Sequence, residues 1–70
     1  MEKQILLNLE QLLDEYGISR YELTKRIGSH YPIVDSYYKN KVKRWDSDLL
    51  LRICIALDCE ISDLIKITDA

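Results

Sequence analysis

Histidine occurs once in this chain, cysteine twice and proline once, and no apolar run approaches the roughly 20 residues of a membrane-crossing helix. Each scarcity removes a class of function. Cys54 and Cys59 have no further cysteine and no histidine cluster to complete the set of about four ligands that zinc takes, so neither a metal nor a cofactor is expected. A lone cysteine pair in a small intracellular domain reads instead as apolar filler. His30, the single histidine, has no nucleophile or acid grouped with it, and the chain is expected not to be an enzyme. Repeats, linkers and low-complexity segments are absent. The first residues carry one lysine and one glutamate before apolar positions broken at helical spacing, unlike a signal peptide. A cytoplasmic protein is expected, with no membrane contact.

A basic surplus is also lacking: ten lysines and arginines face twelve acids, for a net charge of −2. Taken alone, that balance argues against a nucleic-acid partner. The distribution reverses the reading. Arg20, Lys25, Arg26, Lys39, Lys41, Lys43 and Arg44 lie within one stretch that holds only two acids, Glu22 and Asp35, whereas the remainder carries three basic residues and ten acids. Such polarity turns one side of a molecule toward a polyanion. Seventy residues suffice for one domain, taken as 1–70, and leave no room for a second, ligand-sensing one; no small-molecule ligand is expected.

What is present reads as helices. Ile5, Leu6, Leu9, Leu12, Leu13 and Tyr16 recur at helical spacing and predict one amphipathic helix, ended by Gly17. Ile18 precedes Ser19, and Ser19 with Glu22 forms the capping-box pattern in front of Leu23, Thr24 and Ile27. Gly28 supplies a tight turn. A third helix starts near His30 with Tyr31 and Pro32 in its first turn, where the missing proline amide leaves no helical bond unmade. Its inner face is Val34, Tyr37 and Tyr38; Tyr31, Pro32, Asp35, Ser36 and Lys39 face out. Lys41 to Arg44 form a basic loop, and Trp45 is a lid on the core or part of an interface. Asp46 or Ser47 caps a fourth helix running to about Leu57, with Leu49, Leu50, Ile53 and Leu57 on its core side and Leu51 and Ile55 as a second apolar stripe. Ile61, Ser62, Asp63, Leu64 and Ile65 read as staple, cap and first turn of a short fifth helix. No strand is predicted, and the expected class is all-α.

The run SRYELTKRIG, a tight turn, then YPIVDSYYKN resembles the helix-turn-helix of the phage repressor and Cro type, also called the XRE family, and the likeness extends through LLLRICIALDCEISDLI to cover nearly the whole chain. Thr24 stands where that family usually has alanine, and Ser29 where a small apolar residue is commoner. The resemblance implies a compact five-helix, lambda-repressor-like domain whose third helix, about 30–39, enters the major groove. It implies a sequence-specific transcriptional regulator, a repressor, that binds double-stranded DNA as a homodimer. Carried over position by position, the DNA-contacting residues are Arg20, His30, Tyr31, Pro32, Ser36, Lys39, Lys41, Lys43 and Arg44. Arg20 is a phosphate contact, Tyr31, Pro32 and Ser36 face bases, and Lys41, Lys43 and Arg44 follow onto the backbone. Asp35 either accepts from a cytosine or holds a nearby lysine, the second being preferred. The alternative is a protein-binding module, an antitoxin or adaptor, using the same fold.

Overall fold

The computed structural model describes residues 2–69. A strand, β1 (Lys3–Leu7), leads into four helices, α1 (Leu9–Tyr16), α2 (Arg20–Ile27), α3 (Tyr31–Tyr38) and α4 (Ser47–Leu57). One further helical turn, α5 (Ile61–Leu64), runs straight into a second strand, β2 (Ile65–Asp69). The five helices stand as predicted, but the all-α expectation does not. β1 and β2 form a two-stranded antiparallel sheet in which Lys3 faces Asp69, Ile5 faces Ile67 and Leu7 faces Ile65.

The correction has a clear cause. Ile5 and Leu6 fit the helical stripe of Leu9, Leu12 and Leu13, yet Ile5 is 54% exposed and the residue that enters the core is Leu7. Lys3, Ile5 and Leu7 share one face of a strand at period two. The hydrogen bonds that make this segment a strand come from residues about sixty positions away, which local spacing cannot register. Tyr16, the last residue of the expected stripe, is likewise exposed. At the other end Ile65 opens β2 rather than extending α5, and the cap of α5 is Glu60, paired with Asp63 in a capping box, rather than Ser62.

Twelve apolar residues build the core: Leu7 from the sheet, Leu9, Leu12 and Leu13 from α1, Leu23 and Ile27 from α2, Val34 and Tyr37 from α3, Leu49, Ile53 and Leu57 from α4, and Leu64 from α5. β1 and all five helices contribute, so no helix can leave without exposing another's apolar face. Burial of a leucine such as Leu23, which is wholly enclosed, contributes about 1.5–3 kcal/mol. Ile18, Tyr38, Val42 and Trp45 pack around this centre, Trp45 therefore lying on the core. Cys54 and Cys59 are half-buried free thiols against the same cluster, and desolvation together with the neighbouring Cys54 pushes the Cys59 thiol up to about 11.

Leu51 and Ile55 stay outside, 56% and 70% exposed, and with Ile61 they line an open groove between α4 and α5. No helix among the described residues is long and apolar enough to cross a membrane.

Candidate nucleic-acid interface

The joint between α2 and α3 is fixed from both sides by local chemistry. Ser19 caps α2, its Oγ accepting from the Glu22 amide at 3.0 Å. Only this half of the expected capping box forms. The Glu22 carboxylate accepts instead from Arg26 Nε at 3.2 Å, an ion pair one turn along the same helix. Gly28 ends α2 at φ +65°, and the following Ser29 amide reaches back to the Thr24 carbonyl at 3.1 Å. That left-handed geometry is cheap for glycine alone. Thr24, the departure from alanine, is accommodated because its Oγ1 donates to the Arg20 carbonyl at 2.8 Å, leaving no buried hydroxyl unpaired.

His30 is the N-cap of α3 by backbone conformation, but its side chain makes no cap bond; its carbonyl accepts from Ile33 and Val34. The imidazole is therefore left at the surface beside Tyr31 and Pro32, all three exposed. Val34 and Tyr37 turn inward and anchor α3, and Tyr38 is half-buried. Ser36 lies one turn after Pro32 and donates its hydroxyl to the Pro32 carbonyl at 2.9 Å. Its proton is thus spent within the helix, while its oxygen retains accepting capacity.

Arg20 and Lys39 are not free cations. Arg20 donates to Asp35 Oδ1 and Lys39 lies 3.1 Å from Asp35 Oδ2, so each carboxylate oxygen serves one cation. The Arg20 guanidinium also stacks over Tyr38, 4.3 Å from the ring centroid, with Tyr31 at 5.9 Å. The Lys39 hydrogen bond, and after it that from Arg20, hold the Asp35 carboxyl below its ordinary value against partial desolvation. The lysine-holding reading of Asp35 is thus the one realised, with Arg20 added. By contrast Lys41, Lys43 and Arg44 are exposed, and none forms an ion pair among the described residues.

The loop carrying those three cations is tied at both ends, by residues absent from the expected contact set. Asn40 adopts φ +58°, closing α3, and its side-chain amide clasps Leu7: Oδ1 accepts from the Leu7 amide at 2.7 Å and Nδ2 donates to the Leu7 carbonyl at 3.0 Å. At the far end the Tyr37 hydroxyl accepts from the Asp46 amide at 2.9 Å, and Asp46 in turn caps α4. An asparagine just past the last periodic residue of a helix is a recognisable stop signal in sequence; its grip on Leu7 is not.

A capped helix, a left-handed glycine turn and a second helix with its polar side uncovered define a helix-turn-helix unit. The chain belongs to the Cro/C1-type helix-turn-helix DNA-binding domain family, whose sequence profile matches residues 8–70. Among solved structures it is similar to a candidate DNA-binding protein from Bacteroides fragilis, with 19% identity and a TM-score of 0.81 over 90% of this chain and all of that one. It is also similar to the transcriptional regulator VanUg, with 24% identity and a TM-score of 0.77 over the whole of this chain and 92% of that one. No curated protein matches it.

Proposed function

We propose that this protein is a sequence-specific transcriptional regulator, a repressor rather than an enzyme, that places α3 in the major groove of double-stranded DNA. The observation carrying this reading is the uncovered side of α3 flanked by a tethered run of unpaired cations at Lys41, Lys43 and Arg44. An eight-residue helix is about 12 Å long, commensurate with a groove about 12 Å wide. His30, Tyr31, Pro32 and Ser36 would meet base edges and sugars, Lys41, Lys43 and Arg44 the phosphates, and Arg20 and Lys39 would join them by exchanging Asp35 for phosphate. The base-facing side has no arginine, asparagine or glutamine, the usual makers of bidentate base contacts, so selectivity rests on fewer and weaker contacts than such pairs supply.

One copy buries too little surface for tight binding, and the apolar groove at Leu51, Ile55 and Ile61 supports a homodimer with half-sites about 34–36 Å apart. In vitro selection from a random duplex pool, followed by mobility shift across a salt series, tests the reading. Enrichment of a two-fold related sequence, bound less tightly as salt rises, is expected. A chain that retains no duplex yet forms a stoichiometric complex with another protein belongs to the adaptor class instead.

A further inference from the structure

Among the charged groups beside α3, one has the wrong sign for a DNA-facing surface. We infer that Asp35 is a specificity-determining residue that acts by occupying Arg20 and Lys39 until a correctly placed phosphate displaces it. The inference rests on the DNA-binding reading above and adds a role that no base or phosphate contact requires.

Asp35 lies on α3 one turn before Lys39 and across the helix joint from Arg20, with its side chain 23% exposed. Both of its oxygens are engaged by cations, and the arginine is further fixed by the Tyr38 ring. Approach of a phosphate backbone in any arbitrary register therefore meets a cluster carrying one net positive charge where the same cations unpaired would present two. Lys41, Lys43 and Arg44 attract any duplex equally, since attraction to phosphate carries no sequence information. Arg20 and Lys39 differ: they are released only where a phosphate sits close enough to replace a carboxylate already at hydrogen-bond distance. Discrimination is a difference of affinities, and a group that weakens binding to wrong sequences raises it as effectively as one that strengthens binding to the right one.

The test compares the wild type with Asp35→Asn on a selected duplex and on a scrambled duplex of equal length, over a range of salt. Asparagine keeps the shape and removes the charge. The expected result is about a fivefold gain in affinity for the scrambled duplex, with the slope of log K against log salt steeper by about 1, and a smaller gain on the selected duplex. Asp35→Glu, which retains the charge, should restore most of the wild-type ratio. Unchanged or weaker binding to the scrambled duplex overturns the inference, as does loss of preference at a single C·G pair, which would make Asp35 a direct base reader.

A second comparison leaves Asp35 in place. Lys39→Gln should reduce scrambled-duplex affinity less than Lys43→Gln, because Lys39 is held at the Asp35 carboxylate and Lys43 is in no ion pair among the described residues. Equal losses overturn the inference even if Asp35→Asn does not fold. Failure of the wild type to bind any duplex is a different outcome, and it removes the DNA-binding reading itself.

Discussion

Asn40 and Leu7 are 33 positions apart, and the asparagine side chain satisfies both backbone polar groups of the leucine. The end of the proposed recognition helix is thereby fastened to the last residue of the first strand. Asn40 also occupies a left-handed conformation that asparagine tolerates better than most residues. Asn40→Ala loses the two hydrogen bonds and the conformational tolerance together, and should cost about 2–4 kcal/mol in chemical denaturation, allowing roughly 1 kcal/mol per bond plus strain. Asn40→Gly keeps the φ and loses only the bonds, so it should cost less. If the two variants are equally stable, backbone conformation is not part of the role.

Val34 and Tyr31 sit on opposite sides of α3, the first fully enclosed and the second 42% exposed. Val34→Ala removes two buried methyl-sized groups and is expected to cost about 1–2 kcal/mol of stability. Tyr31→Ala should leave the melting temperature nearly unchanged and weaken duplex binding. Thermal denaturation and mobility shift on the same pair of variants check both halves; exchanged outcomes would falsify the orientation assigned to α3.

Replacing Leu51 and Ile55 together by glutamate should leave a folded chain, since both side chains are more than half exposed. Sedimentation at several concentrations, with and without a two-half-site duplex, should then show a monomer that binds more weakly than the wild type. Unaltered association would mean that this groove is not a contact between copies.

Lys43 belongs to the unpaired cationic loop and Lys66 to β2, in the acidic part of the sequence. Lys43→Ala should lower affinity for all duplexes by a similar factor and reduce the salt slope by about 1, while Lys66→Ala should do neither. Equal effects would mean that charge polarity does not orient the protein on DNA.

Cys59 should alkylate slowly in the folded protein at pH 8, because a thiol near 11 holds roughly one thousandth of its population as the reactive thiolate. Iodoacetamide labelling followed by mass spectrometry should find Cys59 largely unmodified until denaturant is added. Rapid native labelling would show that neither burial nor Cys54 protects it.

The sequence made some of this visible because the relevant information is local. The Gly28 turn, the Ser19 cap, the inward Val34 and Tyr37 and the Asp46 cap each depend on residues within about one helical turn. The sheet was hidden because the pattern of Ile5, Leu6 and Leu9 satisfies a helix as well as it satisfies a strand followed by a helix. The clasp of Asn40 on Leu7 left no local trace, since its partner lies 33 positions away along the chain. Arg20 was expected to meet phosphate because the resemblance to the repressor and Cro type carries that role to its position, while its pairing with Asp35 depends on how two helices meet.

The strands β1 and β2 join positions as far as 66 residues apart, whereas the contacts of α2 with α3 close within a few turns of chain. Bringing distant segments together costs more chain entropy than forming neighbouring ones, so the ribbon is expected to close late in folding. Amide exchange should accordingly find the Lys3–Asp69 end of the ribbon opening far more often than the interior of α2. The surface proposed to meet DNA is thus expected to assemble before β1 finds β2, and to persist through the commonest openings of the native state.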